Sequence, residues 1–211
     1  MRGHFIVFEG IEGCGKSTQA RLLAEQLGRA RIPHRLTREP GGTRLGEVLR
    51  GLVLHGADVS VETELLLMLA ARSAHVAEVV RPALEAGEVV VCDRYELSSF
   101  AYQGMGRRLG LDRVRSVNQM ATGGLKPDLT MVVDVPLEVA AARRAEGRSG
   151  EDRIEGAGEE FHARVAEAYR LLASKEANVV LVDGTPAIDV VTAAIRQILL
   201  ERFSEILFDL R

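Results

Sequence analysis

"HFIVFEGIEGCGKST", residues 4–18, decides how the rest of the chain is read. The apolar run 4–9 has the look of a buried strand. Two glycines come next at a fixed spacing, Gly10 and Gly15, and then Lys16 and Ser17. Residues 10–17 fit G-x-x-x-x-G-K-[ST] in full, and Ala20, Leu23, Ala24 and Leu27 continue at helical spacing. A strand before the loop and a helix after it is the context in which this motif binds phosphate. Gly10, Ile11, Glu12, Gly13, Cys14, Gly15, Lys16, Ser17 and Thr18 would wrap backbone N–H groups around a polyphosphate, and the helix N-terminus adds positive potential. Lys16 supplies a charge to the terminal phosphates and Ser17 a hydroxyl to magnesium. Cys14 reads as a small filler. A nucleoside triphosphate is the expected ligand. Such a loop does not say whether water or a second substrate takes the phosphoryl group.

Outward from this loop the pattern alternates. "HRLTRE" (34–39), "VVVCD" (89–93), "LTMVVDV" (129–135) and "NVVLVDG" (178–184) are further strand candidates, with helical spacing between them. Continuous apolar runs of this kind suit strands buried on both faces of a parallel sheet. The expected fold is a doubly wound α/β sheet of five parallel strands with helices on both faces, of the P-loop NTPase type, built as one domain over 1–211. Residues 61–86 read as a long helical stretch, apolar on more than one face around Leu65, Leu66, Met68, Leu69 and Ala70. Residues 143–160 hold arginines, acids and glycines with almost no apolar residues, which suits either a solvated loop or a lid.

Bulk properties narrow the function. Net charge is −3, so no global basic field draws the chain to nucleic acid or to a membrane. No apolar run approaches the roughly 20 residues of a membrane span. Two cysteines make neither a disulfide framework nor a zinc spacing, which points to a reducing cytoplasm. Any anion must therefore be held by local basic residues. "TREPGG" (37–42) and "CDRY" (92–95) bring arginines to the ends of the second and third strands. Ligands of open α/β sheets bind beyond the carboxyl ends of the strands, where Glu9, Arg38, Asp93 and Arg94 would gather. Asp93 suits magnesium or its waters, or a helix N-cap. Arg38 and Arg94 suit a phosphate dianion.

At this point the chain resembles the bacterial thymidylate kinase family over nearly its whole length. The resemblance rests on "FEGIEGCGKST", "TREPGGT", "AARSAH", "CDRYELSSFAYQG", "LKPDLTMVVDV" and "DRIE". It implies transfer of the γ-phosphoryl group of ATP to dTMP, with Mg2+, toward dTTP. It implies that Lys16, Ser17 and Thr18 serve ATP and the metal, with Asp93. Arg38 and Arg94 would hold the dTMP phosphate, with Arg50 near it. Glu9 would lie near the sugar and metal, and Glu39 nearby. Arg72 and Gln103 would meet the thymine edge beside Ser99, and Tyr102 would crowd the 2′ position. A lid over about 143–157 would deliver Arg148 or Arg153, since positions 11–14 hold no arginine. Met68 stands where the family usually carries a base-stacking phenylalanine. A homodimer through the apolar helix at 61–80 is also implied. Two rivals remain open from the residues alone: a kinase for another nucleotide, and a phosphate-loop switch that transfers nothing to a small molecule.

Overall fold

The computed structural model describes residues 2–147 and 153–203. Its centre is a five-stranded, all-parallel sheet in the order β2-β3-β1-β4-β5. The strands are β1 (Phe5–Glu9), β2 (His34–Arg38), β3 (Val89–Asp93), β4 (Leu129–Asp134) and β5 (Val179–Asp183). Parallel neighbours need crossovers, and helices supply them: α1 (Lys16–Arg29), α2 (Arg44–His55), α3 (Val61–His75), α4 (Arg81–Glu85), α5 (Glu96–Ser99), α6 (Leu111–Thr122), α7 (Leu137–Gly147), α8 (Glu159–Lys175) and α9 (Ile188–Arg202). All five expected strands are present, and the sheet is doubly wound.

Side-chain alternation along β1 shows why both faces are covered. Ile6 and Phe8 join one buried cluster with Leu23, Val91, Met131 and Leu172. Phe5 and Val7 join a second with Val76, Val80, Val90 and Tyr95. A strand apolar at every position must be buried on both sides. The edge strands are less apolar, and Leu36 on β2 and Leu181 on β5 stay exposed.

Register then sets the site. Phe8 pairs with Asp93, Glu9 with Val132 and Arg38 with Asp93, so these strand ends lie level at one rim of the sheet. The turns after them are capped. Thr43 Oγ1 accepts from Gly46 N at 2.9 Å to start α2, and Ser60 Oγ accepts from Thr63 N at 3.2 Å to start α3.

Two segments refine the sequence reading. The helical stretch from 61 continues through a π-helical turn, Val76–Val80, into α4. A second π-helical segment, Phe100–Gly106, extends α5, with Arg107 N donating to Tyr102 O five residues back. α7 runs to Gly147, so the first part of the expected lid at 143–157 is helix. Among the described residues no helix is long and apolar enough to cross a membrane.

Gly3 precedes β1 and donates to Leu84 O at 2.8 Å. A Cβ there would collide with the Glu88 carbonyl oxygen, which is backbone and cannot swing away. Gly3→Ala should therefore cost about 1–3 kcal/mol of stability, as overpacking does. Thermal denaturation should show a lower Tm, while the folded variant keeps nucleotide affinity; an unchanged Tm would remove this constraint.

Candidate active site

The phosphate loop leaves β1 at Glu9 and enters α1 at Lys16. Gly15 before it is left-handed at φ 97, a conformation that suits glycine. Lys16 is buried and forms an ion pair with Glu12 Oε2 at 3.5 Å. Gly13, Cys14, Gly15, Lys16, Ser17 and Thr18 line a cavity together with Arg143, Gly184 and Pro186. Gly10 and Ile11 stand behind it, and Ile11 is part of the core. α7 meets the loop through two arginines. Arg144 Nη1 donates to Glu12 O at 3.0 Å, and Arg143 Nη1 donates to Cys14 O at 3.5 Å and to Gly184 O, just after β5, at 3.0 Å.

A second cavity opens beside the first. It is lined by Glu12, Glu39, Pro40, Arg50, Leu54, Met68, Arg72, Arg94, Ser98, Ser99, Tyr102, Gln103, Ile154 and His162. Eight expected acceptor-side residues are brought together here: Glu39, Arg50, Met68, Arg72, Arg94, Ser99, Tyr102 and Gln103. Glu12 lines both cavities.

Arg94 lines the second cavity and reaches Glu12, which lines both. Its backbone is left-handed at φ 74, unusual for a residue with a side chain. Nη1 donates to Gly10 O at 3.0 Å, Ser98 Oγ at 3.1 Å and Tyr169 Oη at 3.2 Å. Nη2 donates to Glu12 at 3.4 Å, and the guanidinium lies over the Tyr102 ring at 5.2 Å. Burial works against its charge, but Tyr102, Tyr169, Glu12 and Glu9 outweigh burial and hold its pKa well above the usual value.

Arg72 is more deeply buried and almost fully satisfied. Nε donates to Glu39 Oε2 at 2.6 Å, Nη1 to Ser99 Oγ at 3.0 Å and Asn118 Oδ1 at 2.7 Å, and Nη2 to Tyr95 O at 2.8 Å. Glu39 Oε1 also meets His75 Nδ1 at 2.8 Å, and His75 Nε2 meets Thr37 Oγ1 at 2.7 Å. Burial acts to raise the Glu39 pKa, yet Arg72 and His75 together hold it below the ordinary carboxylate value.

Other expected residues lie elsewhere. Glu9 has no exposure and does not line either cavity. Its Oε1 accepts from Tyr95 N at 2.8 Å and Ser98 N at 3.0 Å, and its Oε2 from Ser98 Oγ at 2.6 Å and Tyr169 Oη at 2.9 Å. Burial raises its pKa, against Arg94 and these donors. Arg38 is exposed on the edge strand and donates to both oxygens of Glu47 at 3.0 Å, outside the cavity. Arg153 turns away from the phosphate loop. Its Nε donates to Val53 O at 3.0 Å, its backbone N to Leu54 O at 3.2 Å, and Nη2 forms an ion pair with Glu64 at 2.8 Å. Arg148 lies outside the described residues. Ser17 is exposed at the first cavity, and Asp93 has a buried Oδ1 without a hydrogen-bond partner.

Several residues escape sequence reading. Ser98 and Tyr169 hold Glu9 and Arg94, and Asn118 holds Arg72. Glu64 also escapes it, since it follows Glu62 in the first turn of α3 and nothing local marks it as the buried one of the two.

A family model described as thymidylate kinase matches residues 8–195. The thymidylate kinase of Cupriavidus metallidurans is 48% identical over 200 residues, covering 94% of this chain and 98% of its own. That of Trichormus variabilis is 45% identical over 209 residues, covering 97% and 99%. That of Desulforudis audaxviator is 52% identical over 180 residues, covering 83% and 80%.

The Arg72–Glu39 pair yields a stability test. Glu39→Gln keeps the shape but leaves the Arg72 charge buried against neutral partners. Breaking one side of a buried pair costs about 3–5 kcal/mol. Urea denaturation should show a loss in that range; a loss below about 1 kcal/mol, the scale of an exposed pair, would mean that the pair contributes little.

Proposed function

The chain belongs to the thymidylate kinase family, and we propose that it transfers the γ-phosphoryl group of ATP to dTMP, giving dTDP and ADP. The observation that carries this reading is the meeting of two cavities at Glu12, which accepts a hydrogen bond from the Arg94 guanidinium of the second cavity. A switch that only bound a nucleotide would have no use for the second cavity.

The donor lies in the phosphate loop, where Lys16 and the α1 N-terminus face its phosphates. Ser17 and the unpartnered Asp93 Oδ1 fit Mg2+, which usually takes one or two protein oxygens and completes its shell with phosphates and waters. Magnesium there would neutralise charge on the β- and γ-phosphates. Arg94 holds the dTMP phosphate, with Arg50 beside it. Arg72, whose donors are nearly all committed to protein, and Gln103 border the thymine edge. Met68 precedes Arg72 by one helical turn and covers the ring, and Tyr102 crowds the 2′ carbon. Arg38 and Glu9 act behind this layer. Arg38 is paired with Glu47, and Glu9 orients the turn that carries Arg94.

Phosphoryl transfer asks the protein mainly for positioning and charge neutralisation. Arg94 and Lys16 supply charge from the body of the fold, and Arg148 adds its charge from the lid. The segment about 143–157 acts as that lid on a single domain that spans the chain. A homodimer forms through the helix at 61–80, on which Leu66 is exposed. The protein works in the cytoplasm.

A panel of nucleoside monophosphates with ATP and Mg2+ tests the reading: ADP formation should be fastest with dTMP, and Met68→Ala should raise its KM several-fold. Equal rates with AMP or GMP would overturn it. In the same assay Arg148→Ala should lower kcat by about 10³-fold or more, as loss of a principal arginine does. Arg153→Ala, which removes contacts to α2 and α3, should affect kcat far less. Near-normal kcat in Arg148→Ala would move the transition-state charge to another residue.

A further inference from the structure

Glu64 is an acid on α3 with 1% of its surface exposed, directly before the apolar run that starts at Leu65. Its two oxygens divide their work. Oε1 accepts from Gln103 Nε2 at 2.8 Å. Oε2 accepts from Arg107 Nη2 at 3.3 Å and is paired with Arg153 Nη2 at 2.8 Å. Neither Arg107 nor Arg153 is more than about a quarter exposed, at 22% and 17%. Arg107 lies over the Phe161 ring at 4.6 Å, which limits where else its charge can go.

A carboxylate only accepts hydrogen bonds, whereas a glutamine amide has one accepting and one donating end. Glu64 therefore fixes which way the Gln103 side chain faces. The NH2 group is turned to Glu64, and the carbonyl Oε1 is left for the cavity that Gln103 lines. A cavity wall that offers an acceptor favours a base edge carrying a ring N–H and opposes one with a bare ring nitrogen. Leaving a buried polar group unpaired gives strong discrimination.

We propose that Glu64 is a positioning residue for base selection. It orients Gln103 so that the acceptor cavity takes a pyrimidine with a protonated N3, and it ties that orientation to the lid base through Arg153. This rests on dTMP being the acceptor, and it assigns Glu64 no contact with the substrate.

Glu64→Gln would reverse this polarity. Two arginine side chains claim the one remaining carbonyl oxygen at position 64. The new amide NH2 then faces Gln103, whose side chain must flip to accept from it. The flipped Gln103 presents its NH2 to the cavity, a donor where the wild-type protein offers an acceptor.

The test compares dissociation constants for dTMP and 5-methyl-dCMP by calorimetry, in the wild type, Glu64→Gln, Gln103→Ala and the double variant. In Glu64→Gln the preference for dTMP should narrow by about tenfold or more, the scale of one hydrogen bond to a buried group. In the Gln103→Ala background the same change at 64 should leave the preference within about twofold, since no amide remains there to flip. A merely structural Glu64 would weaken both ligands alike and leave their ratio fixed, and that result would overturn the proposal. So would an equal narrowing with and without Gln103. Should Glu64→Gln not fold, Gln103→Ala decides alone: a preference that survives it overturns the proposal. Wild-type turnover of dTMP is read separately, so failure of the kinase reading and failure of the Glu64 assignment give different results.

Discussion

The organisation of this site depends on one buried carboxylate. Glu9 closes the central strand and has no contact with solvent, and its two oxygens take four hydrogen bonds from Tyr95, Ser98 and Tyr169. Those donors come from the turn after β3, from α5 and from α8. Together the two oxygens draw these segments toward the root of the phosphate loop. The left-handed Arg94 sits inside this arrangement, held by a strand on one side and by the partners of Glu9 on the other. Backbone strain of this kind persists where the surroundings over-determine it. Without Glu9 the donors at Tyr95 and Ser98 would lose their acceptor, and the Arg94 cation of the second cavity would lose its frame.

The sheet is legible in the sequence because three strands are apolar at nearly every position, and two-sided burial is the one environment that tolerates this. The phosphate loop is legible because its spacing is dictated by backbone geometry. Side-chain direction is where reading fails. Arg38 and Arg94 both stand at strand ends and both lie next to acids in the fold, yet one turns outward to Glu47 and the other inward. The difference comes from position in the sheet. β2 is an edge strand, and its last residue can reach solvent, whereas β3 is flanked on both sides. The partners of Arg153 are hidden for a similar reason: Val53 and Glu64 are about a hundred residues away, and no local pattern marks them. Ser98, Asn118 and Tyr169 are polar residues of ordinary type whose roles emerge only when distant segments meet.

Arg72 illustrates how the cavity is made ready before any ligand arrives. Its guanidinium is held by Glu39, Ser99, Asn118 and the Tyr95 carbonyl, so its plane is set by folding rather than by binding. The cost of ordering that side chain is met when the chain folds. A site built this way gains from preorganisation, since fewer groups must be immobilised when substrate binds. It also explains why Glu39 stays ionised in a buried place: the arginine and histidine beside it favour the charged form more than burial opposes it.

The π-helical segment Phe100–Gly106 carries Tyr102 and Gln103, two consecutive residues that both line the acceptor cavity, with Ser99 just ahead of them. A wider turn of this type is equivalent to one extra residue inside an ordinary helix. Loss of a single codon between 100 and 106 would restore the narrower turn and rotate the downstream residues by about 100°. The cavity would lose one of its walls although every amino-acid type needed was still encoded. Along this stretch inheritance constrains length more tightly than identity. Lineages that descend from this chain can exchange residues here far more readily than they can gain or drop one.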